Sequence, residues 1–237
     1  MPDLPSAIPS AQLEESFLRV VDVERKVPAA LDALGPVCDR DVVVLDGGSG
    51  NLARDLATMG ARMRSLAFEP DIDAAMAAVS ELPLRCADVV VIPWSEFATP
   101  ESPLIDFAER LLRPGGRLLL IHDYGRDEVW SLRPELQDRQ VDWSHRGGPF
   151  LGCGFRVRVI HCWWTFESPE QAREMLEAAF GPAGLELFGR MKRQRLEYQV
   201  AIYHRTAAAV EVIGEPRALP QLLAMSSGRE LPELVAE

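Results

Sequence analysis

Apolar residues fall along this chain in two patterns, short β-branched runs and longer stretches at helical spacing. Leu13, Phe17, Val20 and Val21 recur at helical intervals and predict a helix from Ala11, with Ser10 as its N-cap. A second helix follows Pro28 and ends near Gly35. Val42 to Leu45 is an unbroken apolar run with three β-branched residues, which suits a strand buried on both faces. Asn51 opens a helix that Gly60 stops, and Arg62 to Phe68 reads as the next strand. A helix fits Asp71 to Ser80, and Asp88 to Ile92 is another buried strand. A helix from about Leu104 to Leu112 stops at Pro114-Gly115-Gly116, after which Arg117 to Ile121 is a strand.

Residues 125–154 are irregular, polar and rich in Trp and Arg, whereas Phe155 to Phe166 alternates enough for a strand. Ser168 caps a helix with Pro169 at its first position and Glu170 and Glu174 in its opening turns. Leu185 to Met191 and Leu196 to His204 read as a closing antiparallel pair around a charged turn. The first ten residues read as a flexible arm, residues 11–206 as one domain and residues 207–237 as a tail. Strands alternating with helices predict an α/β fold of three layers, a parallel sheet between helices. Ligands bind outside the carboxyl ends of such strands. That rule gathers Asp46 to Gly50, Glu69, Pro93-Trp94 and His122 to Tyr124 around one crevice.

The glycine turn in VVVLDGGSGNLA carries the chemistry. Asp46 stands where the first strand ends, and Gly47, Gly48 and Gly50 let the backbone turn sharply and approach a ligand closely, with Ser49 between them as a further binding candidate. A strand, a glycine turn and a helix N-terminus make a nucleotide pocket, because the helix offers unpaired N–H groups. Glu69 follows Gly50 by nineteen residues, close to the spacing at which an acid meets a ribose. A carboxylate there accepts from both ribose hydroxyls and repels a 2′-phosphate.

The formal net charge of −11 argues against nucleic acid as partner, since such binding draws on phosphate neutralisation. The basic run Arg190, Lys192, Arg193, Arg195 reads as the solvated face of a hairpin. No apolar run approaches membrane-spanning length and MPDLPSAIPS lacks the regions of a signal peptide, so no membrane is expected and a cytoplasmic location is the default. Cys38 and Cys86 sit beside strands as small buried hydrophobes, and no disulfide framework is implied.

With these residues in place the chain resembles the class I S-adenosylmethionine-dependent methyltransferases. VLDGGSGNLA resembles that family's first motif, AFEPD its second-strand acid motif, ADVVVIPW its fourth strand and LLRPGGRLLLIHDYG its helix-to-fifth-strand segment. The resemblance implies a Rossmann-like methyltransferase fold, mostly parallel with an antiparallel C-terminal edge, and S-adenosylmethionine as cofactor. It implies that Asp46, Gly48 and Gly50 line the methionine and ribose portion, that Glu69 holds the ribose hydroxyls, and that Pro93, Trp94 and the residues to Glu96 border the methyl group. Two positions depart from the pattern. Leu52 stands where a third glycine is expected, and only about twenty residues separate Glu69 from the fourth strand, so the third strand is shortened or missing.

Methyl transfer from a sulfonium is an in-line displacement, for which the protein supplies orientation and a dry site. His122 is the candidate general base, with Asp123 and Tyr124 to orient it or the substrate; a hydrogen-bonded strand-end role for His122 is equally supported. The insert from about 125 to 166 sits where the family builds a substrate lid, and its Trp130, Trp143, Trp163 and Trp164 suit either an apolar substrate or the core. His145, Cys153, His161 and Cys162 lack zinc-ligand spacing, so no metal is expected. The partner expected is a small-molecule acceptor, and a homodimer stays open. Two rival readings stand beside this one. A methyltransferase-like domain without catalysis would serve as a binding module. An NAD-dependent oxidoreductase would use Gly48-Ser-Gly50-Asn-Leu-Ala53 as a GxGxxA turn, against which Asp46 would face the pyrophosphate.

Overall fold

The computed structural model describes residues 11–45, 50–66, 72–95, 97–132 and 143–207. In chain order the elements are α1 (Ala11–Val20), α2 (Lys26–Leu34), β1 (Asp41–Leu45), α3 (Asn51–Thr58), β2 (Arg62–Leu66), α4 (Ile72–Ser80) and β3 (Ala87–Pro93). Then come α5 (Pro103–Leu111), β4 (Leu112–Asp123), a 3-10 turn (Val129–Leu132), α6 (Pro149–Gly152), β5 (Arg156–Thr165), α7 (Pro169–Arg190) and β6 (Arg195–Thr206).

The six strands form one sheet in the order β2-β1-β3-β4-β6-β5. β1 to β4 run parallel, and β6 lies antiparallel to both β4 and β5. This is the mostly parallel sheet with a reversed C-terminal edge that the sequence predicts. Between β2 and β3 no strand occurs among the described residues, which leaves β2 as a sheet edge.

The central strands read as solid apolar runs because both faces are covered. Val42, Val44, Val89, Val91, Leu119 and Ile121 point to one face, packed under α1, α2, α3 and α7 with Phe17, Leu31, Leu56 and Leu176. Val43, Leu45, Val90, Ile92, Leu118 and Leu120 point to the other, under α4, α5 and α6 with Val79, Leu104, Ile105 and Phe150. Leu31 is fully buried, and Leu31→Ala would cost about 2–5 kcal/mol.

Local chemistry sets the ends of the helices. Ser102 and Ser168 accept from the Leu104 and Gln171 amides, capping α5 and α7. α2 starts before Pro28, at Lys26, because the Asp22 carboxylate accepts from the Lys26 and Val27 amides. The PGG stop after α5 also has a cause. Gly115 takes φ 78°, and a Cβ on Gly116 would lie 2.9 Å from the Arg113 carbonyl, so the chain bulges there before pairing with β3.

Two expectations fail. Leu185 to Met191, read as a strand, continues as helix to Arg190: α7 kinks at Gly181 (φ 54°, ψ −132°) and re-forms at once, burying Leu187. The antiparallel partner of β6 is therefore β5, and the run from Arg190 to Arg195 is a helix end and a turn, with the Arg195 guanidinium 4.1 Å above the Trp163 ring. Cys38 is exposed, Cys86 half-buried, and the buried thiol is Cys162; all four cysteines are free. Ser10, residues 1–10 generally and residues 208–237 lie outside the described residues. No helix among the described residues is long and apolar enough to cross a membrane.

Candidate functional site

The carboxyl ends of β1, β3 and β4 meet at one edge of the sheet, where the crevice was expected. Asp46, Gly47, Gly48, Ser49, Glu69 and Glu96 lie outside the described residues. Gly50 is described and caps α3 in a left-handed conformation (φ 73°, ψ 11°) with no side-chain cap. Among the described residues nothing lies within 4 Å of the position a Cβ would take there, so a ligand can approach the backbone closely. Leu52, in the first turn of α3, is partly buried and packs against the core.

Pro93 ends β3 and is buried. Trp94 follows with φ 47°, a conformation that costs a bulky residue roughly 1–2 kcal/mol and must be held by its surroundings. Two bonds to β4 hold it. The Trp94 amide donates to the Ile121 carbonyl at 2.7 Å, and the indole Nε1 donates to Asp123 Oδ1 at 3.0 Å. The same carboxylate oxygen accepts from the Tyr198 hydroxyl of β6.

His122 and Asp123 are neighbours on one strand, so their side chains leave opposite faces of the sheet. Asp123 shares the α3 side with Trp94 and Tyr198. His122 enters the other core at 3% exposure, where Nε2 donates to the Ala98 carbonyl at 3.0 Å. Its ring is enclosed by Trp143 (4.7 Å between centroids), Phe150 (5.6 Å) and Tyr203 (6.2 Å). This is the hydrogen-bonded strand-end role. Asp123 is equally buried, so it is the face of the sheet, not burial, that separates His122 from Asp123. Tyr124 is half-buried, with the Arg126 guanidinium over its ring and its amide bonded to the Gln199 carbonyl.

Beyond β4 the chain stays tied to β6. Asp127 accepts from the Gln199 and Trp130 amides, each at 2.8 Å, and burial pushes its carboxyl up to about 6 despite those bonds. Glu128 accepts from the Glu197 amide at 2.7 Å. Within the expected lid, 156–165 is sheet strand, α6 closes over Tyr203 through Phe150, and Trp164 is core against Phe17 and Tyr198. His161 and Cys162 leave opposite faces of β5: His161 pairs with Glu197 at 3.4 Å, while Cys162 bonds Asp22. Burial raises both the Cys162 thiol and the Asp22 carboxyl.

The first two helices meet at residues 21–25. Their junction bridges the free edge of β5, Val21 against Trp164, and also walls a groove of about 880 Å³ beside the opening turns of α3. Arg25 and Asp55 pair across that groove, with Asn51 and Arg54 on its far side.

Sequence reasoning missed Tyr198 and Asp127. The signal for Tyr198 was a hydroxyl at a core position of an apolar strand, which requires a buried acceptor nearby.

No protein-family model and no curated protein matches the chain. Solved structures do. A structure assigned as a methyltransferase of an antibiotic biosynthesis pathway from Anabaena variabilis is 16% identical, covering 80% of this chain and 99% of that chain with a TM-score of 0.49. A Haloferax volcanii complex of a methyltransferase activator with its assigned methyltransferase gives 17% identity, 88% and 99% coverage and 0.48. One assigned as a type II methyltransferase from Anaeromyxobacter dehalogenans gives 17%, 76% and 96%, and 0.44. The strand order, the reversed β6 and the glycine-capped α3 give this chain a Rossmann-like α/β fold, similar to these methyltransferase structures.

Proposed function

We propose that the chain is a methyltransferase that binds S-adenosylmethionine at this crevice and serves a small-molecule acceptor. The observation that carries the reading is the wall formed by Trp94 and Asp123 at the ends of β3 and β4, facing the side of the sheet where Gly50 opens α3. The residues fit such a ligand: among the described residues nothing crowds Gly50, and no side chain caps the opening turn of α3 in competition with a ligand's polar groups.

Asp46, Gly47, Gly48, Ser49 and Gly50 would hold the methionine and ribose portion, Glu69 the ribose hydroxyls, and Pro93 and Trp94 the border of the reacting carbon. Bound there, the cofactor supplies a methyl group already activated by its sulfonium. The protein's own work is then orientation and exclusion of water. Trp94 does both as a rigid apolar wall, and Asp123 fixes the plane of its indole. Where the acceptor has a proton to lose, Asp123 is on the cleft side and Tyr124 is beside it. His122 is bonded through Nε2 to Ala98 on the face of the sheet away from Asp123 and Trp94, which sets it last of the three.

That enclosure of His122, with the lack of a strand between β2 and β3 among the described residues, also supports a second reading, a binding module without turnover. Calorimetric titration with S-adenosylmethionine, S-adenosylhomocysteine and NADH is the test. Micromolar binding of both adenosyl ligands, about −8 kcal/mol, with none for NADH supports the proposal. NADH binding alone moves the chain to the oxidoreductases. Adenosyl binding without turnover on a broad acceptor screen selects the binding module.

A further inference from the structure

At the other end of the sheet, four basic side chains share one face. β4 places Arg117 two residues before Leu119; Leu119 lies opposite His204 of β6, and His204 lies opposite Arg156 of β5. Arg158 follows two residues on, so all four project from the same face of three adjacent strands, below the end of α2 at Gly35. None of the three arginines pairs with a carboxylate among the described residues. Burial and the three guanidiniums hold the His204 imidazole below its ordinary range. A groove of about 460 Å³ opens beside them, lined by Arg117, Arg156, His204, Thr206, the Cys153-Gly154 turn and Arg205, whose guanidinium is paired with Glu109.

Like charges directly opposite on neighbouring strands destabilise a sheet. Arginines on an edge strand protect it from pairing with other chains, which accounts for Arg156 and Arg158. It does not account for Arg117 and His204, which sit on interior strands. A concentration of uncompensated guanidiniums in a chain of net charge −11 marks a place where an anion is meant to sit.

We infer that this groove binds the phosphate or diphosphate group of a small ligand, with Arg117 and Arg156 as its guanidinium donors, His204 as an imidazole N–H donor, and Arg158, two residues along β5 from Arg156, adding to the positive field. Planar guanidiniums match phosphate oxygens two at a time. The groove is of small-ligand size, and the acidic remainder of the surface repels a long polyanion. Six residues of β4 separate Arg117 from Asp123, roughly 20 Å, so the site is independent of the crevice at the opposite edge.

Inorganic pyrophosphate is the probe, followed by 31P NMR and by thermal melting of the full chain. The expected result is saturable binding that R156Q/R158Q weakens at least tenfold, while R64Q on the far edge strand leaves it unchanged. In phosphate-free buffer R156Q/R158Q should melt at or above the parent temperature, because a repulsion has been removed. Absence of saturable binding at millimolar pyrophosphate, equal weakening by R64Q, or a lower melting temperature for R156Q/R158Q without ligand would each overturn the inference.

Discussion

Trp94 and Asp123, at the carboxyl ends of neighbouring parallel strands, are joined by a 3.0 Å hydrogen bond from the indole to a carboxylate that also serves Tyr198. Asp123→Ala would leave two donors facing a site that water reaches poorly. The expected cost is about 2–5 kcal/mol, measured by urea unfolding. Because both bonds end on one oxygen, adding Tyr198→Phe should cost markedly less than it does alone. Additive effects in that cycle would mean the three groups do not act as a unit.

His122→Ala is expected to behave as a core substitution. It removes a buried ring and leaves the Ala98 carbonyl unmet, a loss of about 2–4 kcal/mol. In the folded variant, affinity for S-adenosylmethionine should stay within about twofold of the parent by calorimetry. A tenfold loss of affinity with unchanged stability would return His122 to the cleft.

At the amino ends of the strands Asp41 joins Arg62 of β2 and Arg113 of β4, both at 2.8 Å, while Arg113 also reaches Asp88 of β3 at 2.9 Å. The hydrogen bonds from Arg62 and Arg113 hold the Asp41 carboxyl down at about 2. A depressed carboxyl stabilises the fold fully above its unfolded value of about 4 and loses that contribution as the pH falls toward 2. Asp41→Asn should flatten the stability curve across that window and leave the shape above pH 5 unchanged. The cluster is exposed, so high salt should shrink the difference.

Asp127 has the opposite sign. With its carboxyl raised to about 6, the folded state holds a proton that the unfolded chain releases near 4, and stability falls as the pH rises between those values. Asp127→Asn should remove that slope in melting curves taken from pH 4 to 7. It also gives up one of two accepted amide bonds, so the variant should be less stable than the parent at pH 4 and closer to it at pH 7.

Two glycines of α7 give a matched pair. A Cβ on Gly184 would sit 2.0 Å from the Leu176 carbonyl, whereas one on Gly189 meets nothing within 4 Å. Gly184→Ala should cost about 3 kcal/mol or more, since backbone must move. Gly189→Ala should gain about 0.5–1 kcal/mol from helix propensity. Similar melting temperatures for the two would refute the close approach between the halves of α7.

The central strands were legible because Val42 to Leu45, Asp88 to Ile92 and Arg117 to Ile121 are buried on both faces and therefore apolar throughout. The same property hid the division of labour at the site. With Leu118 to Ile121 apolar at every position, nothing in the sequence said which face belonged to His122 and which to Asp123. Residues 185–191 misled for a different reason. Gly181-Pro182 reads as a full stop, and the apolar positions after it satisfy both a strand alternation and a helix face. The helix is held by the close approach of Gly184 to Leu176, which joins parts of the chain eight residues apart across the kink, and by burial of Leu187. Cys38 lies next to a buried strand in sequence, yet it falls in the turn before β1 and reaches solvent.

The position of β6 between β4 and β5 also fixes when the sheet can be completed. During synthesis β5 emerges well before β6, yet its ladder partner throughout is β6. Until about residue 206 has left the ribosome, β4 has one unpaired side and β5 has no neighbour in the sheet. Any nascent chain stopped short of Arg195 therefore carries β5 with no strand to join and a core open along α1, α2 and α7, which makes such fragments substrates for chaperones and proteases.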